Sequence, residues 1–206
     1  YSSNVSLKMG SYGSSWQYLD VEKKTRRLIA GGYATNTVVE GEKRANPNTL
    51  DIFSAPANYM SFYNQQSAGI SSVFKWTDTW TQYVRMGYDQ RDFNAKYFYT
   101  ISPYDESVEH VQRRWVQLSS RKNFTSSFIE VDGMIQETKD VFDFNALFIP
   151  NEHTTTQSQA HLNWVGKNRN ETLNYTAGIQ LLHKKIISTD RGYHTNLGYG
   201  LYGIIR

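Results

Sequence analysis

Along residues 80–100, WTQYVRMGYDQRDFNAKYFYT, apolar and polar positions first alternate and then stop alternating. Trp80, Val84, Met86 and Tyr88 fall on one face, with Gln82 as the exception, while Thr81, Arg85, Gly87 and Asp89 fall on the other together with Tyr83. A period of two belongs to a strand, and the full charge on the second face means that this face meets a polar environment. From Asp89 onward a mixed polar and aromatic run predicts a loop. The same period recurs around Val5, Leu7 and Met9, around Trp16 and Tyr18, around Leu28, Ala30 and Gly32, and from Ile70 to Trp76. It returns at Arg114, Val116 and Leu118, at Ile129 and Val131, at Ala160, Leu162 and Trp164, at Tyr175, Ala177, Ile179 and Leu181, and at Leu197, Tyr199 and Leu201. The pattern predicts about ten strands.

The gaps between these segments are ordered. Residues 77–79, 121–123 and 166–171 predict short turns, whereas 35–66, 89–113 and 134–157 are long connections and 183–194 is a medium one. Short and long gaps take turns, so the short ones gather on one rim and the long ones on the other. That asymmetry is the pattern of an antiparallel transmembrane β-barrel, an all-β fold whose faces alternate between lipid and lumen. Hydrocarbon offers unpaired amides no partner, which favours closure. On this pattern Trp164, Tyr175, Ile179, Leu197 and Leu201 are expected to point outward. Ser6, Thr125, Ser127, Thr172, Thr176, Gly178, Gly198 and Gly200 are expected on the lumen side, where mostly small residues would suit a wide barrel.

Composition sharpens this picture. Fifteen Tyr, ten Phe and five Trp supply much of the apolar area as amphipathic rings, which suit a boundary between oil and water. A mean hydropathy of -0.61 is compatible with spanning strands because alternation keeps the average low. No apolar run approaches the roughly 18 residues of a spanning helix. The net charge of +3 is too small and dispersed for a nucleic-acid partner. Absence of cysteine removes disulfides and thiolate metal sites. One domain, 1–206, is expected at this length.

Candidate chemistry is sparse. His110, His153, His161, His183 and His194 show no metal-ligand spacing, and no Gly-x-Ser-x-Gly elbow is present. Asp20/Glu22 and Asp140/Asp143 are expected to be solvated charges and not an acid and base pair. No enzyme activity, metal or cofactor is expected.

Three stretches, YDQRDFNAKYFYT at 88–100, DVFDFNALFIPNEHTTTQ at 140–157 and STDRGYHTNLGYGLYG at 188–203, resemble barrel segments of TonB-dependent outer-membrane receptors, particularly of Bacteroidetes type. The opening, NVSLKMGSYGSSWQYLDVE followed by TRRLIAGGYATN, resembles that family's first barrel strands after the plug. The resemblance implies an outer-membrane barrel of a Gram-negative bacterium, in contact with the lipid bilayer. It would import a scarce small-molecule ligand such as a ferric siderophore, haem or cobalamin, with TonB acting through a plug. Such barrels have ~22 strands, so these residues correspond to the early barrel portion, with the plug and remaining barrel strands outside them. Two alternatives stay open: a complete small barrel with an adhesin or structural role, and a soluble β-sandwich binding module.

For ligand contact the candidates are Arg91, Asp92, Phe93, Tyr97, Phe98, Tyr99, Asp190, Arg191 and His194. Aromatic and Arg groups give the rigid contact area and directed hydrogen bonds that a receptor mouth needs. The competing expectation is structural, with Arg-to-carboxylate pairs in RDF and TDRG bracing their loops.

Overall fold

The computed structural model describes residues 1–41, 43–45, 58–102, 104–168, 170 and 172–206. Among them the regular elements are strands: β1 (Ser2–Met9), β2 (Ser15–Lys24), β3 (Leu28–Val39), β4 (Lys43–Ala45), β5 (Asn58–Met60) and β6 (Tyr63–Thr77), followed by β7 (Trp80–Asn94), β8 (Val108–Asn123), β9 (Ser127–Asp143), β10 (Asn151–Lys167), β11 (Asn174–Ser188) and β12 (Gly192–Ile205). Ten of these form one antiparallel sheet in the order β1-β2-β3-β6-β7-β8-β9-β10-β11-β12, and β4 and β5 pair as a separate ribbon. Each strand of the sheet therefore lies beside its neighbours in chain order. β1 pairs only with β2 and β12 only with β11, so the sheet is not closed within these residues.

Several strands run further than the alternation predicted. β7 continues to Asn94, β8 fills the expected turn at 121–123, and the expected connection 134–157 is mostly β9 and β10, joined by 144–150. The expected loop 183–194 shrinks to 189–191. In these extensions polar and apolar residues no longer alternate strictly, so the contrast that signals a strand disappears while the backbone ladder goes on.

Register assigns the faces, because directly paired residues project to the same side. One row crosses the sheet through Val21, Gly32, Ile70, Met86, Val116 and Ile135 and ends at Ser158, His183 and Leu197. On the same face lie Trp164, Ile179 and Leu201 as expected, and Tyr175 pairs with Gly166 in the same parity. This face is apolar yet exposed: Ile70 is 57% and Ile135 60% accessible. Buried hydrophobic side chains among the described residues are only Ala95 and Val111. A single sheet with no opposing layer has no core to hide this face, which removes the β-sandwich alternative.

The apolar band has two borders. Toward the short turns it ends in Trp76, Trp80, Trp164 and Tyr175, where Trp80 Nε1 donates to Ser120 Oγ at 3.0 Å and Trp76 stacks on Trp80 at 5.6 Å. Toward the long connections it ends in polar pairs bridging successive strands: a hydrogen bond between Asp92 and His110 (2.7 Å) and the ion pairs Arg114 with Glu137 (2.5 Å) and Lys139 with Glu152 (3.0 Å). On β9 the apolar positions between these borders are Ile129, Val131, Gly133 and Ile135, a stretch of seven residues inside a strand of 17.

The opposite face differs from the expectation of small residues. Ser6, Thr176, Gly178, Gly198 and Gly200 do lie on it, but Ser127 shares the face of Ile129, and Thr125 and Thr172 sit in turns. Larger side chains dominate instead, including the ring of Trp115, the charged Arg85 and Asp132 and the pairs Arg113–Asp89 (2.8 Å) and Arg121–Glu130 (3.8 Å). Period two was read correctly on the apolar side; the polar side is free to vary, so its volume could not be inferred from the pattern. At its centre Gly69 and Gly87 pair directly, and a Cβ on either would stand 2.7 Å from the ring of Tyr33 or Trp115. Those rings lie down over bare backbone, the cross-strand cover that aromatic residues give to sheet glycines.

Connections 25–27, 78–79, 124–126 and 168–173 share one rim, and 10–14, 40–62, 95–107, 144–150 and 189–191 share the other. The second rim carries the longest ones. If the apolar face meets lipid, Ile179→Lys should cost about 2–4 kcal/mol near mid-membrane, read as impaired folding into bilayers.

Candidate functional site

At the long-connection rim the strands pass beyond the apolar band and carry mixed side chains on the polar face. Register brings Arg91, Val111, Asp140, His153 and Ser188 into one row across β7 to β11. One step nearer the rim, Phe93, Glu109 and Phe142 form the next. Glu109 and Asp140 each interact electrostatically with Arg91 and His153, so two carboxylates share two basic groups. Oδ1 of Asp140 is buried without a hydrogen-bond partner in the protein.

The connection 95–107 closes over this row. Asp105 is fully buried and accepts the Tyr97 N–H at 2.7 Å and the Ser107 N–H at 2.9 Å, while the Ser107 hydroxyl also donates to it. Ala95 is buried beneath, its N–H bonded to Ser107 O at 2.9 Å. This ties both ends of the loop to one pillar. Tyr97 itself adopts φ 64°, a left-handed conformation that a non-glycine residue takes at a cost. Tyr99 packs edge-on to Phe142 at 5.1 Å and donates its hydroxyl to Glu109 Oε2 at 3.1 Å. Burial first, and then the Glu109 charge, push the Tyr99 phenol above its ordinary range.

At the other end of the row the Ser188 hydroxyl donates to Asp190, so it accepts from His153 Nδ1 (2.8 Å) and from the Arg191 N–H (3.1 Å). The Ser188 bond, ahead of the nearby His153 and Arg191 charges, holds the Asp190 carboxyl below its ordinary range.

No family model and no curated protein matches the sequence. Among solved structures, a mutant of the ferric enterobactin receptor of Pseudomonas aeruginosa superposes with a TM-score of 0.73 at 10% identity, covering 98% of this chain and 36% of that one. The ferric preacinetobactin receptor of Acinetobacter baumannii gives 0.60 at 10% identity, covering 91% and 36%. The fold is that of part of a β-barrel wall. This chain spans just over a third of the length of those receptors.

Within this wall the candidate residues separate. Phe93, Phe98 and Tyr99 form a continuous aromatic series, with centroids 6.3 Å apart for the first pair and 6.4 Å for the second, and Arg91 lies on the same face. Tyr97 is held beside them by Asp105. Asp92 departs from expectation: one residue on from Arg91 in a strand, it projects to the apolar face and pairs with His110. Arg91, Asp92 and Phe93 are thus strand residues, not loop residues. Asp190 and Arg191 form the tight turn, where their charged atoms lie 3.9 Å apart, too long for a strong brace. His194 belongs to β12 and its Nε2 contacts Arg191 O at 2.7 Å, a turn-bracing bond. Asp140 and Asp143 sit on opposite faces, and Asp143 pairs with Val108. Sequence reasoning missed Asp140 and His153 as members of the row and Glu109 in the row beside it, because only register places them together.

Replacing Asp105 by Ala should release the loop. Hydrogen exchange at the Tyr97 and Ser107 amides is expected to accelerate by the equivalent of about 1–3 kcal/mol of local stability, with the sheet amides unchanged.

Proposed function

We propose that the chain is an early part of the barrel wall of a TonB-dependent outer-membrane receptor of a Gram-negative bacterium, of the Bacteroidetes type that its sequence resembles. The observation that carries this reading is the exposed apolar band bounded by tryptophans on one side and ion pairs on the other, on a sheet whose long connections share one rim. The apolar face meets lipid and the polar face lines the lumen. β1 and β12 pair with further strands, since exposed ladder groups in hydrocarbon cost several kcal/mol each. Energy comes from TonB through a plug that occupies the lumen. The chain acts in transport and not as an enzyme. The mouth formed by Arg91, Phe93, Tyr97, Phe98 and Tyr99 with Glu109, Asp140 and His153 receives a scarce ligand such as a ferric siderophore, haem or cobalamin, and Asp190 and Arg191 complete its edge.

Orientation is tested with single cysteines in the full-length protein on whole cells. Labels at Asn58, Tyr104, Asn151 and Tyr193 should react with an impermeant thiol reagent, whereas labels at Asp78 and Asn168 should react only after the outer membrane is opened. Mixed reactivity on either rim would remove the proposal.

A further inference from the structure

Beside the charged row, the mouth holds a second and smaller feature: a cavity of about 280 Å³ lined by Tyr12, Arg44, Phe62, Tyr63, Phe93 and Phe98. Its walls come from four separate parts of the chain, and backbone bonds tie them together. The Gly41 N–H donates to Tyr12 O at 3.4 Å, the Asn94 N–H to Phe62 O at 3.1 Å and the Phe98 N–H to Ala95 O at 3.0 Å. Gly41 has φ 116°, and a Cβ there would fall 1.3 Å from Ser61 O, so this close approach of the segments after β3 and before β6 requires glycine. Among the described residues Arg44 has no carboxylate partner.

Tyr12 stands in the cavity wall against local preference. It has φ 58° and is followed by Gly13 at φ 63°, and the Ser14 N–H donates to Ser11 O at 3.1 Å. This is a two-residue turn of type I′, whose first central position suits Asn, Asp or Gly. A tyrosine there weakens the turn while setting a ring at the cavity.

Five rings give flat apolar walls for another ring. A guanidinium supplies a fork of donors that matches a carboxylate. The volume is just below the roughly 300–1,000 Å³ of pockets that enclose a drug-sized ligand, so it fits one ring and not a whole large chelate. We infer that the cavity binds a planar aromatic acid, either free or as one arm of a larger ligand, with the ring among Tyr12, Phe62, Tyr63, Phe93 and Phe98 and the carboxylate on Arg44. This rests on the receptor reading, and it gives that reading's ligand one chemical element.

The test uses the full-length protein in detergent, titrated calorimetrically with salicylate and with benzyl alcohol, which keeps the ring but lacks the charge. Salicylate should bind and benzyl alcohol should bind far more weakly. Arg44→Gln should weaken salicylate by about tenfold or more, as expected for loss of a charge-assisted bond. Tyr12→Asn, which suits the turn better, should leave folding intact and still weaken salicylate several-fold, whereas Lys139→Gln on the apolar face should change nothing. A folded protein that binds the two probes equally, binds neither, or keeps its salicylate affinity in both cavity variants would overturn the inference while leaving the barrel intact. Heat-modifiable migration reports folding in each case. Its absence in the unmutated protein would overturn the barrel reading and this inference with it.

Discussion

Every interior amide of a strand in hydrocarbon must find its partner in the adjacent strand, since lipid supplies neither donor nor acceptor. The ladder from β1 to β12 meets this demand almost without interruption. Its register shift between Lys75 and Thr77 falls beside Trp76 and Trp80, at the border of the apolar band, where an interface can satisfy the freed groups. Once the backbone is committed to this ladder, side chains on its two faces become independent of one another. The apolar face is then set by the solvent it meets, and the polar face can carry charge at no expense to the other.

That independence is what builds the mouth. The strands outrun the apolar band, and in this extension the polar face gathers Arg91, Glu109, Asp140 and His153 through register alone. Glu109 and Asp140 lie on adjacent strands, flanked by Arg91 and His153. The pairs on the other face, Arg114 with Glu137 and Lys139 with Glu152, are exposed and each contributes at most about 1 kcal/mol. Their position matters more than their strength. Rigidity at the mouth comes instead from buried groups, above all Asp105, whose carboxylate satisfies two backbone N–H groups inside the loop 95–107. A loop so pinned can hold Phe98 and Tyr99 against the sheet without a hydrophobic core beneath it.

Much of this was legible in the sequence where the two faces contrast. Trp80, Val84, Met86 and Tyr88 were separated correctly from Arg85 and Asp89, and Ile179, Leu197 and Leu201 from their neighbours. The order of strands followed from short turns, and so did the sorting of connections between rims. Strand ends were illegible because alternation fades where both faces turn polar, as it does from Gln136 to Asp140 on β9. The same fading made Asp92 look like a neighbour of Arg91 in a loop, when strand geometry sends the two to opposite sides. His153 and Asp140 could not be joined from sequence, since only pairing of β9 with β10 brings them together. The expected long segment 35–66 contains residues 42 and 46–57, which lie outside the described residues.

The central claim is that one sheet separates lipid from a polar interior residue by residue. It is tested most directly by spin labels placed singly along β10 and β11 of the full-length protein in bilayers. Labels at Leu162, Trp164, Ile179 and Leu181 should be relaxed preferentially by oxygen, which partitions into lipid, and those at His161, Asn163, Gly178 and Gln180 by a water-soluble nickel chelate. A strict period of two across both strands is the predicted result. Equal chelate accessibility at all eight positions would contradict it.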